Sequence, residues 1–204
     1  MGPRVVGVYV GLPQDIGDGI VSGIHKSPVC ETVWVGRTNI EGDGQGSLAF
    51  HGGPDRSVLM FGHSRYALYS SLLGIELPPC AFGENLTVTD LTEDEVCLGD
   101  VFRVGDVLLE VSQPRLPCAT LARRLDCPAV VETIIDHRSG GWYLRTLEEG
   151  ALAVGDTVDM VERKHPEWSV ARAFEVFLGK SKDDKAALTE VPCLSQLWRD
   201  RLGS

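Results

Sequence analysis

Cys118 is the residue whose neighbours could make it reactive. It follows Ser112-Gln113-Pro114-Arg115-Leu116-Pro117, directly after an apolar run that reads as a strand, and precedes a short helical pattern. From Ser112 to Arg124 the segment carries Arg115, Arg123 and Arg124 and no acid, so nearby positive charge and a helix start would both favour a thiolate. A thiolate in that setting is a nucleophile or a soft metal ligand; the alternative is a buried cysteine on a proline-stiffened loop. Cys30, Cys80, Cys97, Cys127 and Cys193 form no C-x-x-C pair and no zinc-like spacing with histidine, and in a reducing compartment they read as small buried hydrophobes.

Two loops could bind a ligand beside that thiol. His51-Gly52-Gly53-Pro54-Asp55-Arg56 leaves backbone amides free to face an anion, with a histidine and an arginine beside them; the competing reading is a tight turn with an Asp–Arg surface pair. In Phe82-Gly83-Glu84-Asn85-Leu86-Thr87, Asn85 could present its amide to a heteroaromatic ligand or satisfy the turn before a strand. Between Asn39 and Asp55, Gly42, Gly44, Gly46, Gly52 and Gly53 call for positive φ angles or close approach of backbone to another group.

The elements that must hold these loops are mostly strands. Val5 to Val10 and Glu31 to Gly36 are β-branched or aromatic runs closed by glycine, with a loop holding Lys26-Ser27-Pro28 between them. Val58 to Phe61 is a third strand, leading to a helix from His63 to Leu73 that Gly74 stops. Gly99-Asp100, Gly105-Asp106 and Gly155-Asp156 each precede an apolar run and read as turns of a barrel or meander. Helices fit Ala119 to Leu125 and Ala129 to His137, and a strand fits Trp142 to Thr146. After the polar link Glu162-Arg163-Lys164-His165-Pro166 the pattern turns helical. Ser169 caps a helix that Gly179 ends, and two more fit Asp183 to Thr189 and Ser195 to Leu202. A tail of that size rarely folds alone, so it should pack on the main domain or on a second subunit of a homodimer.

Length and charge narrow the classes. The 204 residues suit one well-cored domain with a short appendage, and 23 glycines with 11 prolines favour a turn-rich, strand-rich fold. A net charge of −10 argues against duplex nucleic acid as a partner, although 14 of the 19 cations are arginines, which suit bidentate contact with phosphate or carboxylate. The three-helix tail also allows a helix-turn-helix reading, but it carries equal numbers of acids and cations. No segment has the pattern of a secretion signal or the length of a membrane span, so a cytoplasmic protein without a membrane partner is expected.

The ordered set Gly42-Asp43-Gly44-Gln45, His51-Gly52-Gly53-Pro54-Asp55, Phe82-Gly83-Glu84-Asn85-Leu86, Gly99-Asp100-Val101-Phe102, Gln113-Pro114-Arg115-Leu116-Pro117-Cys118 and Gly141-Trp142-Tyr143-Leu144-Arg145 resembles the MOSC family, named for the C-terminal domain of molybdenum cofactor sulfurase. Within that family the chain is most similar to the YiiM group, whose three-helix extension its tail resembles. The resemblance implies an α+β fold, mainly β: a MOSC-type β-barrel with short helices over residues 1–164 and a three-helix extension over 165–204. It implies the molybdenum cofactor, a pyranopterin dithiolene carrying molybdenum, with Cys118 as metal ligand and catalytic residue. Lys26 and Ser27 match a cofactor-holding Lys-Ser of relatives, and Arg37, His51, Gly52, Gly53, Arg56, Asn85 and Arg115 are the further pocket assignments. Phe50 stands where relatives often carry a second histidine.

The implied activity is reduction of N-hydroxylated compounds, such as N-hydroxylated bases. Electrons would come from a separate reductase, because the chain has neither a flavin fingerprint nor a haem motif. The residues agree with that chemistry, since a thiolate suits a sulfur-rich metal centre and Lys26 with the arginines suits a cofactor phosphate. Asp43 or His51 could handle protons. The alternatives are a sulfur carrier with a persulfide on Cys118, and a cofactor-binding module without turnover.

Overall fold

The run at the start of the chain forms β1 (Val5–Val10) in the computed structural model of the protein, which describes residues 2–46, 52–179 and 183–203. A small hairpin follows, β2 (Gln14–Asp15) with β3 (Val21–Ser22), and then β4 (Ser27–Pro28), β5 (Val33–Val35) and β6 (Val58–Gly62). Helix α1 (Ser64–Leu73) leads to β7 (Leu86–Val88), β8 (Val101–Val104) and β9 (Val107–Pro114). Helices α2 (Ala119–Arg124) and α3 (Ala129–His137) precede β10 (Trp142–Glu148), β11 (Gly150–Leu152) and β12 (Val158–Glu162). The tail holds α4 (Val170–Phe177), α5 (Asp183–Thr189) and α6 (Gln196–Gly203).

Eight strands form one sheet in the order β12-β8-β9-β10-β6-β7-β1-β4. Within it β6 and β7 run parallel, which requires a crossover, and α1 supplies it. The sheet closes on itself. Val5 N–H donates to Asp156 O at 2.9 Å and Val158 N–H to Pro3 O at 2.9 Å, and Arg4 bridges Thr157, joining β1 to β12. The result is the expected β-barrel with helices around it. All three Gly-Asp turns fall where expected, with glycine φ angles of 74°, 56° and 98°.

Two local differences from the sequence reading have clear causes. Ser27 and Pro28, expected in a loop, pair with Val10 and Tyr9 of β1. The β1 backbone extends past β7 and would otherwise leave groups unpaired, and proline is acceptable on such an edge strand because its missing N–H is not required there. The second strand is shorter than expected and pairs with β11 rather than joining the large sheet.

Two cores form. The larger fills the barrel and continues into the tail, running from Val5, Met60 and Trp142 to Val170, Leu194 and Trp198. The smaller gathers Phe61, Tyr69, Phe82, Leu121, Val130, Ile134 and Phe174, with Phe61 and Phe82 stacked at 4.2 Å. It fixes the 82–85 loop and the start of α2, and so both sides of the Cys118 segment.

The tail packs on its own barrel. Ser169 Oγ accepts from Arg172 N–H at 3.1 Å, capping α4, whose Val170, Ala173, Phe174 and Val176 are buried. Ser195 N–H donates to Ser112 O of β9 at 3.1 Å, and Arg145 Nη2 of β10 donates to Cys193 O at 2.8 Å. Trp198 of α6 is fully buried against Phe177, ring centroids 4.4 Å apart, a contact worth about 0.5–1.5 kcal/mol beyond its buried area. No helix of the described residues is long and apolar enough to cross a membrane.

Candidate functional site

Where β9 leaves the barrel, the Gln113–Cys118 segment forms one wall of a cavity of about 460 Å³. The segment after β3 and residues 43–46 form another wall, residues 82–85 a third, and α6 contributes Leu197, Trp198 and Arg201. That volume lies within the roughly 300–1,000 Å³ common for sites of small molecules and cofactors. The backbones around it are tightly apposed: a Cβ placed on Gly23 would lie 2.1 Å from Gly44 O, so only glycine lets these two loops meet at the rim.

Cys118 lines the cavity, half-buried and extended (φ −138°, ψ 161°), as the residue immediately before α2. Of the three arginines expected around it, Arg115 alone lines the cavity. Arg123 pairs with Asp18 at 2.5 Å, and Arg124 donates to Ile24 O and, at 2.7 Å, to Cys80 O. These two clamp the loop carrying Ile24 and Gly23 onto α2 and so shape the cavity wall.

Arg115 is buried, with Nη2 donating to Phe82 O at 3.3 Å, while its Nη1 has no hydrogen-bond partner among the described residues. Beside it, buried Gln113 has an unpartnered Oε1 and its Nε2 reaches only Pro114 O, at 3.4 Å. Native proteins satisfy nearly all such atoms, so the donor on Arg115 and the acceptor on Gln113 are available to a water or a ligand in the cavity. Tyr143 completes this end of the cavity; burial pushes its phenol up, while the nearby Arg115 and Arg56 charges act in the opposite direction.

Lys26, Asp43 and Asn85 also line the cavity, but their polar groups are spent on one another. Lys26 Nζ pairs with Asp43 Oδ1, which also accepts from Gly11 N–H at 2.9 Å, and Asn85 Nδ2 donates to Asp43 Oδ2 at 2.9 Å. Asn85 further donates to Tyr9 O at 3.2 Å and accepts from Leu59 N–H at 3.0 Å. Asn85 therefore joins β1, β6 and the 43–46 segment, the structural alternative of its two readings. Asp43, offered as a proton handler, has both oxygens engaged.

The remaining assignments divide. Gly52 and Arg56 line the cavity, with Arg56 Nε donating to Gly52 O at 2.9 Å. Gly53 lies in an adjoining cavity of about 230 Å³. Ser27 is exposed on the edge strand β4 and does not line the main cavity. Arg37 is also away from it: its N–H donates to Glu149 Oε1 at 2.8 Å and its Nη1 to Thr146 O at 3.2 Å, because the pairing of β5 with β11 carries it there. His51 and Phe50 lie outside the described residues.

Sequence reasoning missed the orphan acceptor on Gln113, the Tyr143 hydroxyl, and the whole contribution of α6. Gln113 and Tyr143 stand inside motifs that were visible, but nothing in their spacing says that they line one cavity with Cys118. The cysteines differ in a way that can be measured. Burial pushes Cys80 up to about 12, with Glu84 adding to it, and Cys193 up to about 11, with Glu110 adding to it. Iodoacetamide at pH 8 is therefore expected to label exposed Cys30 and half-buried Cys118 and Cys127 well before Cys80 and Cys193, as read by peptide mass spectrometry of the native protein. Early labelling of Cys80 would contradict the closed core around Phe82.

Comparison with known proteins gives a consistent result. The MOSC domain family matches residues 47–159. The uncharacterized protein YflK of Bacillus subtilis is 37% identical over 200 residues, covering 96% of this chain and 90% of that one. A protein of Gibberella moniliformis named "Reductase" is 34% identical over 195 residues, 91% of this chain but only 34% of its own length. The crystal structure of YiiM from Geobacillus stearothermophilus superposes with a TM-score of 0.85 at 30% identity, covering 98% of this chain and 97% of that one.

Proposed function

Because the chain belongs to the MOSC domain family, in its YiiM-like group, we propose that it is a molybdenum-cofactor-dependent reductase of N-hydroxylated compounds, with Cys118 as the protein's ligand to the metal. One observation carries this reading: a half-buried thiol, an unpartnered arginine donor and an unpartnered glutamine acceptor share one cavity of cofactor size. The donor set fits the group. A soft thiolate suits a metal already held by sulfur, and Gln113 Oε1 can take a ring N–H. The described residues contain no cluster of three His, Cys, Asp or Glu, so a metal at Cys118 would draw its other ligands from a cofactor.

The bound cofactor would supply a two-electron centre able to take up the substrate's oxygen. Reduction of R–NHOH to R–NH2 consumes two electrons and two protons and releases water. The protein's own part is to hold and exclude. Arg115 and Gln113 would orient the polar edge of the bound group. Arg56 would neutralise anionic charge. The Lys26–Asp43–Asn85 network keeps the walls in register. Ile20 and Val21, both exposed at the cavity, give the substrate side an apolar rim. The Tyr143 hydroxyl, which lines the cavity with Arg115 and Cys118 and interacts with both, is a group that can pass a proton. Electrons must come from a partner. The relative named a reductase is about three times as long as the part matching this chain, which agrees with a need for further components.

Metal analysis of protein purified under reducing conditions, followed by turnover of an N-hydroxylated base with a chemical electron donor, tests the proposal. Stoichiometric molybdenum with turnover is expected. Loaded protein that reduces nothing would leave a binding module, and sulfane sulfur on Cys118 without molybdenum would leave a sulfur carrier.

A further inference from the structure

The segment between Gly11 and Gly23 is held firmly at its ends and lightly in between. At its base, Gly11 N–H donates to Asp43 Oδ1 at 2.9 Å, Gly44 N–H donates to Gly11 O at 3.0 Å, and Ile24 O accepts from Arg124. Beyond the base the chain folds back on itself. Gln14 pairs with Ser22 and Asp15 with Val21 in a sheet of their own, and Ile16 N–H donates to Ile20 O at 2.9 Å across the turn. Gly17, Asp18 and Gly19 take left-handed φ angles of 96°, 54° and 71°, which keep that turn tight. A two-stranded hairpin so short is marginal without support from its surroundings.

That support is slight. A Cβ placed on Gly44 would lie 2.7 Å from Pro13 Cδ and one on Gly46 2.0 Å from Val21 O, so the hairpin rests on glycine backbone, which has no side chain to interlock with it. At the tip, one side-chain contact among the described residues reaches another element: Arg123 Nη2 of α2 meets Asp18 Oδ2 at 2.5 Å. Those side chains are 39% and 77% exposed, so the pair is weak and screened by salt. Ile20 and Val21, on the arm that returns from the tip, line the cavity, and the hairpin therefore reaches from the 43–46 wall to the helix that starts after Cys118.

We infer that residues 12–22 form a flap over the Cys118 cavity, latched to α2 by the Asp18–Arg123 pair, and that release of the latch admits solutes to the thiol. Gly11 and Gly23 flank the flap, and backbone without a Cβ can absorb the change of φ and ψ that opening requires. The flap rests on the geometry of the cavity and is independent of the reductase reading.

Alkylation of Cys118 by iodoacetamide in the full chain, folded and free of molybdenum, tests it, with exposed Cys30 as the internal reference and peptide mass spectrometry as the readout. Arg123→Gln and Asp18→Asn should each raise the Cys118 rate about threefold at low ionic strength, with an unchanged melting temperature. Asparagine is chosen because it tolerates the left-handed backbone at position 18. Sodium chloride at about 0.5 M should speed the wild type to a similar degree and the variants little. Charge alone would move the two variants in opposite directions, since a cation near a thiol favours the thiolate and an anion disfavours it. An opened latch moves both the same way, and the double variant should then be no faster than either single one. Wild-type rates in both single variants, rates that change in opposite directions, or a double variant in which the two effects multiply would each overturn the flap. Because neither molybdenum nor substrate is used, a failure of reductase activity and a failure of this inference are separately visible.

Discussion

Cys118→Ser is expected to fold normally, bind no molybdenum stably and lose turnover of an N-hydroxylated base by more than about a hundredfold. The scale follows from metal sites in which loss of a group merely supporting a ligand costs roughly 10–100-fold, so loss of the ligand itself should exceed it. Serine is nearly isosteric with cysteine, but it replaces a soft sulfur ligand by a hard hydroxyl. The fold should tolerate the change, since Cys118 is half-buried at a cavity wall and its backbone carbonyl, unaltered by the substitution, is what receives the Leu121 and Ala122 N–H groups of α2. Thermal unfolding of the variant within about 2 °C of wild type, combined with metal analysis and turnover, separates loss of chemistry from loss of structure. A variant that keeps both molybdenum and activity would remove Cys118 from the mechanism.

Asp43→Ala is expected to be the most destabilising change among the cavity residues, costing about 3–5 kcal/mol. The Lys26 and Asp43 side chains are only 5% and 2% exposed, so removing the carboxylate strands a buried ammonium. It also deprives the Gly11 N–H of its acceptor and the Asn85 amide of one of its two, and Asn85 in turn holds Leu59 of β6. In a chain of this length such a loss should lower the melting temperature by roughly 10 °C. Replacing both partners, Lys26→Met with Asp43→Leu, should restore much of the stability, because the cost comes from the uncompensated charge. A single Asp43→Ala change of under about 2 °C would show that water reaches Lys26 and that the pair is not buried as described.

Much of the fold was legible in the chain because its signals are local. Apolar runs, each preceded by a Gly-Asp pair, marked the strands β8, β9 and β12, and the left-handed glycines at those turns agree. The helices that begin at Ser64 and Val170 carry their own stop and cap, Gly74 and Ser169. What failed was also local evidence applied to a nonlocal outcome. Ser27-Pro28 became a strand because β1 had an unpaired edge, and Arg37 left the site because β5 found β11.

The site divides in the same way. Residue type and spacing alone singled out Cys118, placed Arg115 beside it, and identified the loops carrying Gly52, Arg56 and Asn85. Those are properties of short segments, whose backbone and chemistry are set by neighbours in sequence. Which of their side chains remain available was decided only in three dimensions. Asp43 neutralises Lys26 and occupies Asn85, Arg123 and Arg124 turn away to clamp a loop, and Gln113 and Arg115 keep polar atoms unpaired. Only the closed barrel could bring Trp198 and Arg201, more than 140 residues from Arg56, to the same cavity. A hydrogen bond or ion pair uses up a group wherever its partner comes from, and partners distant in sequence become neighbours only through packing.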